Sequence, residues 1–158
     1  MVAYSTQYTN RGPSQKTTSN STRIKHMELL DGSVANSTAF AYTRYHIQPA
    51  EAPSFPWLST IATQYEQYRI HSLCYRYVSN CPTSTAGDVY LSPEYDASET
   101  PPNDEITIAN TRGMVVGNVW KNLELKLDVS ALMGLGPRKF VRDSVRAGDL
   151  KTYDAGFV

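Results

Sequence analysis

The stretch YRIHSLCYRYVSN, residues 68–80, decides how the chain is read. Its side chains alternate with a period of two: Ile70, Ser72, Cys74, Arg76 and Val78 fall on one face, and Arg69, His71, Leu73, Tyr75 and Tyr77 on the other. Tyrosines and β-branched residues suit a pleated, half-buried surface, so one strand is expected here. Just upstream the period changes. Trp57, Ile61 and Tyr65 recur every four residues behind Pro56, which predicts a short amphipathic helix feeding the strand.

Working outward, the rest of the chain reads as short extended segments parted by turn residues. RIKHMELL (23–30) and AFAYTRYHIQP (39–49) alternate upstream, with the turn-rich DGSVANST between them. Pro49, Pro53 and Pro56 interrupt regular structure before the helix. Downstream, NCPTSTAG is a loop and DVYLSPEYD a strand. ASETPPNDE is an acidic, proline-rich loop, and ITIANT is short enough to make one helical turn. GMVVGNVW, NLELKLDV and RKFVRDSV are further strands, MGLGP a turn, and TYDAGFV starts one more strand. About seven or eight strands with one or two short helices predict an all-β sandwich or barrel.

The chain has 158 residues, enough for one domain with a sizeable core. Fifteen basic residues balance fifteen acidic ones, so net charge directs it toward neither nucleic acid nor membrane. The distribution is less even. Met1 to Met27 contains no Asp or Glu, but it carries Arg11, Lys16, Arg23 and Lys25 among Ser, Thr, Asn and Gln. Residues 1–22 are therefore expected to form a flexible, weakly basic arm, with 23–158 the folded domain. Cys74 and Cys81 are too close along one extended segment to pair, and neither has a metal-site partner at useful spacing. Reduced thiols and an intracellular site of synthesis are the default expectation. No apolar run approaches bilayer length, which argues against a membrane-spanning segment.

Catalytic patterns are weak. His26, His46 and His71 lie on separate segments without a metal-binding or nucleophile motif, and GLGPRK (134–139) lacks the spacing of a phosphate loop. The acidic loop is more informative. Asp96, Glu99, Asp104 and Glu105 crowd a proline-stiffened segment, and carboxylates three residues apart can give a hard cation two of its oxygen ligands. Calcium takes about six to eight, so such a site must borrow ligands from elsewhere, a neighbouring subunit included.

Residues 55–102 carry a Phe-x-Trp-Leu helix entry, a Tyr-x-x-Tyr leading into a strand and a Cys-Pro-Thr turn. Gly87 and the Tyr95–Asp96 pair follow ahead of the acidic proline loop. In this order they resemble the shell domain of icosahedral plant RNA virus coat proteins of the tombusvirus and sobemovirus type. GNVWKNLELKLDV and DLKTYDAG extend the resemblance over roughly residues 24–158. It implies an eight-stranded jelly-roll β-sandwich, two four-stranded sheets packed face to face. It further implies a capsid protein that assembles with copies of itself around single-stranded genomic RNA, made in the host cytoplasm and resident in the virion, with no enzymatic or membrane role.

By the same resemblance, Asp96 and Glu99 would bind calcium at a subunit interface, with Glu99 standing where the family pattern carries an Asp. The RNA-binding candidates are Arg11, Lys16, Arg23 and Lys25 on the arm, and Arg69 and Arg76 on the opening strand. Four arm cations are few against the phosphates of a packaged RNA. The resemblance also implies a further strand after Val158, pairing centrally in one sheet, so the domain is expected to be incomplete at its C-terminus. Two competing readings are a jelly-roll module binding carbohydrate or another ligand through Tyr90 or Trp120, and a cupin-like metalloenzyme using His46 or His71.

Overall fold

The computed structural model describes residues 12–30, 39–144 and 148–158. Eight short strands among them pair two by two, always antiparallel. β1 (Ser14–Thr18) and β2 (Ser21–Lys25) make a hairpin. β3 (Gln67–Tyr68) pairs with β8 (Lys139–Phe140), β4 (Cys74–Tyr77) with β7 (Leu123–Lys126), and β5 (Asp88–Leu91) with β6 (Val115–Asn118). Three helices of four or five residues complete the described residues: α1 (Ser59–Ala62), α2 (Glu105–Ala109) and α3 (Val129–Leu132). A 3-10 turn spans Leu150–Thr152.

The opening stretch does not run as one strand. It pairs with β8 at Gln67–Tyr68, breaks, and resumes at Cys74 against β7, because the segment changes partner midway. Within β4–β7 the period of two holds. Tyr75 faces Leu125, and both are buried; Arg76 faces Glu124 on the outer side. Tyr75 and Leu125 join Ile47, Leu127, Leu132 and Ala155 in the central cluster, with Tyr45, Leu73, Leu91 and Val115 packed against it.

Two local signals account for elements that differ from the sequence reading. NLELKLDV was expected to stay extended, but the Asp128 side chain accepts hydrogen bonds from the Ser130 and Ala131 amides and starts α3. That makes three short helices rather than one or two. Residues 14–22, assigned to the flexible arm, lie in the hairpin. Threonines favour strand geometry, a two-residue turn at Ser19–Asn20 reverses the chain, and Thr18 bonds Ser21 across it. AFAYTRYHIQP, by contrast, makes ladder contacts only around Tyr45–Ile47.

The C-terminal segment, expected to start one more strand, holds a central place among the described residues. Tyr45 and Ile47 exchange backbone hydrogen bonds with Val158, Gly156 and Ala155 on one side, and Glu94 exchanges two with Phe157 on the other. Room for three backbones depends on Gly156. Its φ is 149°, and a Cβ there would lie 2.1 Å from the Glu94 carbonyl oxygen.

Just before this segment sits a polar knot. Asp154, 1% exposed, takes both Nε and Nη2 of Arg142, at 2.6 and 2.5 Å, and His46 Nδ1 lies 3.1 Å from its Oδ2. Buried Gln48 donates to the Phe140 and Tyr153 carbonyls, and the Tyr68 hydroxyl lies 2.6 Å from the Tyr153 oxygen. Burial pushes the Asp154 carboxyl up, but the bonds from His46 and Arg142 outweigh it and the net displacement is downward.

Gly156→Ala is expected to cost about 3 kcal/mol or more of stability in urea unfolding, since strain and a backbone clash coincide. Asp154→Asn should cost about 3–5 kcal/mol at neutral pH by leaving the Arg142 charge buried without its partner. The sign of the pH effect follows from the downward displacement: the unfolded chain binds a proton on Asp154 first, so its contribution is complete above about pH 4 and fades as the pH falls through the lowered value. The Asn variant should lose that component of acid sensitivity.

Candidate functional site

Two surfaces collect the residues singled out by sequence. The first is the hairpin. Its register sets Lys16 opposite Arg23 and Ser14 opposite Lys25, so Lys16, Arg23 and Lys25 share one face. Thr22 and Ile24 alternate to the other face and are half-buried, whereas the three cations are exposed. Tyr65 donates a hydrogen bond of 2.7 Å to Thr22, which fixes the cationic face outward. The following residues dock the hairpin on α1. The His26 ring lies 4.4 Å from Trp57, and the Glu28 carboxylate accepts from the Trp57 and Leu58 amides at 2.5 and 3.2 Å. Those amides precede the first helical turn and have no partner within the helix, so a carboxylate there is favourable.

The remaining cationic candidates are not brought to this face. Arg11 lies outside the described residues. Arg69 is exposed between β3 and β4, as is His71. Arg76 is committed to its cross-strand neighbour, with Nε 2.8 Å from Glu124 Oε2, and Lys126 Nζ lies 3.2 Å from the other oxygen of the same carboxylate. The Arg76–Glu124 pair reads as a sheet-surface ion pair of modest strength rather than a free phosphate contact.

The second surface is the acidic loop. Glu94 is held in the C-terminal seam, and its Oε1 accepts from the Asp96 amide at 2.9 Å. Asp96 Oδ1 accepts from the Ser98 amide at 2.9 Å, and its carbonyl takes the Glu99 amide, which bends the chain back on itself. Arg44 spans the seam, with its guanidinium carbon 3.9 Å above the Phe157 ring and Nη2 donating to the Ala97 carbonyl. Two residues that sequence inspection missed complete the site. Lys151 Nζ lies 2.7 Å from Asp96 Oδ2, and Ser98 Oγ lies 3.1 Å from Asp149 Oδ1. The ammonium bond, with help from the Ser98 amide, holds the Asp96 carboxyl below its usual range. Nothing in GDLKTYD announces this role, because only the fold carries residues 149–151 to a loop some fifty positions earlier.

Asp96 and Glu99 thus share one turn, with Asp149 beside them. Asp104 and Glu105 serve locally: Asp104 caps α2 through the Thr107 amide, and Glu105 opens its first turn. Among the described residues, the grouping of three possible metal donors is a different one, His46, Glu51 and Asp154. Arg142 fills it, bonded to Asp154 and 3.6 Å from Glu51, so a guanidinium stands where a metal would sit. Of the two histidines weighed for a cupin-like centre, His46 belongs to this group and His71 does not. Tyr90 and Trp120 are half-buried, and Lys121 lies 5.0 Å over the indole, so Trp120 offers no bare aromatic platform for a sugar. Cys74 and Cys81 are free thiols, and no described helix is long and apolar enough to cross a membrane.

The family model for the viral coat protein S domain matches residues 1–156. The capsid protein of Cucumber necrosis virus is 27% identical over 98% of this chain and 41% of its own length. That of Carnation mottle virus is 32% identical over 70% of this chain and 30% of its own. Among solved structures, the crystal structure of Cucumber Necrosis Virus superposes with a TM-score of 0.81 at 28% identity, over 98% of this chain and 49% of that one. The Melon necrotic spot virus structure gives 0.83 at 23%, which speaks to the fold alone. The chain spans less than half the length of these relatives. With the family model matching nearly every residue, the chain belongs to the viral coat protein S-domain family.

Proposed function

We propose that the chain is the shell-forming part of a capsid protein that assembles with copies of itself into an icosahedral shell around single-stranded RNA. It would be made in the host cytoplasm and act in the virion. The S-domain match over residues 1–156 carries this reading. In this reading the paired strands belong to an eight-stranded jelly roll, with the C-terminal segment threaded between its neighbours. Leu29, Ile106 and Leu135 are more than 70% exposed in the single subunit, as expected where neighbouring copies supply the cover.

The hairpin face with Lys16, Arg23 and Lys25 is the proposed RNA contact. Three exposed cations on one side of a ribbon match a phosphate backbone in sign without reading sequence. Arg11 and Arg69 are auxiliary candidates, and Arg76 contributes only if it leaves Glu124.

Calcium is the proposed interface ion at Asp96 and Glu99. The donor set suits a hard cation, and the position beside Asp96 Oδ2 already holds a cationic group, the Lys151 ammonium. When bound, the ion would offset the repulsion of clustered carboxylates where subunits meet, with a neighbouring copy completing its coordination. Removing it leaves the carboxylates to repel, most strongly at higher pH where all are ionised.

Negative-stain electron microscopy of the purified protein, with and without EDTA, tests the assembly reading. Regular shells that swell or separate on chelation are expected. Shells indifferent to EDTA would remove calcium from the account, and small soluble species alone would remove the shell. Replacing Lys16, Arg23 and Lys25 together by Gln should lower the salt-dependence slope of single-stranded RNA binding by about 2, since each phosphate contact on a single strand contributes roughly 0.7. An unchanged slope in fluorescence anisotropy would place the RNA contact elsewhere.

A further inference from the structure

We propose that Lys151 is a tethered counter-ion that competes with calcium for Asp96, so that an ion enters the acidic loop only as the ammonium withdraws. The inference deepens the calcium reading above and rests on it. Its basis is the arrangement of the lysine itself. The Lys151 backbone is held on both sides: its amide donates to Asp149 Oδ1 at 2.9 Å, and its carbonyl accepts from the Lys139 ammonium at 2.5 Å. Lys139 is buried, so that second anchor does not drift. The side chain, by contrast, is about one-third exposed and reaches Asp96 along a flexible four-carbon stem. Only the side chain has to move for the carboxylate to be vacated, and the 3-10 turn beneath it stays in place.

The Arg142 centre supplies the contrast within the same molecule. There the cation is 8% exposed, makes two bonds to one carboxylate, and cannot leave without stranding a buried charge. Lys151 makes a single contact to a carboxylate that is 40% exposed. Water can replace that contact at little cost, and an exposed pair of this kind is weak. A divalent ion with more than one carboxylate to bind therefore displaces it, whereas a monovalent ion gains little. Asp149 and Glu99 lie within electrostatic reach of the ammonium, so the released lysine keeps acidic neighbours and the loop is never left uncompensated. The lysine in this way sets a threshold. Below it the loop is closed by its own cation, and above it the ion takes over.

The test compares wild type with Lys151→Met, which keeps most of the stem and removes the charge, and with Lys151→Arg, which keeps the charge. Calcium binding to the purified, assembled protein is followed by isothermal titration calorimetry. The Met variant is expected to bind roughly tenfold tighter, as removal of one adjacent positive charge implies, while the Arg variant stays near wild type. In parallel, amine acylation mapped by mass spectrometry reports the lysine directly. Calcium should raise labelling of Lys151 in the wild-type protein and leave Lys121 unchanged. Equal or weaker calcium binding by the Met variant overturns the competition while leaving the calcium site standing. So does unchanged Lys151 labelling in a protein that demonstrably binds calcium. Binding by none of the three proteins overturns the site and the competition together.

Discussion

The placement of residues 155–158 between Tyr45–Ile47 and Glu94 is the constraint on which the rest of the structure depends. Tyr45–Ile47 and Glu94 each bond to the C-terminal residues, which join the two segments from between them. The geometry tolerates this because Gly156 has no side chain facing the Glu94 carbonyl, and because Ala155 and Phe157 are buried on either side of it. Immediately before the seam, Asp154 with Arg142 and His46 fixes where the segment enters. A buried ion pair of this kind adds little stability against a well-packed apolar alternative, but it punishes any register in which its partners do not meet. The knot therefore selects one alignment of the C-terminal segment as much as it strengthens it.

How much of this was legible in the sequence depends on whether the signal was local. The alternation of Cys74–Tyr77 and Leu123–Lys126 correctly separated Tyr75 and Leu125 from Arg76 and Glu124, because a period of two needs no knowledge of the partner. Pro56 with Trp57 and Ile61 located α1, and the ITIAN segment located α2. Strand length was overestimated throughout. A β-prone run such as residues 68–80 states a preference, but where pairing stops is decided by which neighbour lies alongside, and that neighbour changes between Tyr68 and Cys74. The missed helix α3 was a question of weight: the Asp128-x-Ser130 cap was present, but the alternation before it was stronger.

The site was legible by halves. Asp96 and Glu99 were singled out because acidic residues in a proline-rich loop stand out, and the arm cations because no acid accompanies them. Their arrangement was not visible. That Lys16, Arg23 and Lys25 share a face follows from the hairpin register, which turns on a two-residue reversal at Ser19–Asn20. Lys151 and Asp149 were out of reach of any motif, since an isolated lysine in a charged stretch looks like ordinary surface. Arg76 is the opposite lesson. Its basic character attracted a functional reading, while Glu124, the residue that engages it, lies on a strand forty-eight positions away.

The acidic loop is tied down before any neighbour arrives. Glu94 is bonded into the seam, Arg44 grips the Ala97 carbonyl while stacked on Phe157, and Asp149 takes Ser98. Loops that meet partners usually surrender conformational freedom on contact, and that loss subtracts from affinity. Here the freedom is already gone in the lone subunit. In the proposed shell, contacts between copies could then be individually weak and reversible, a condition under which misplaced subunits detach and try again, so the rigidity of one loop would serve as error correction during assembly.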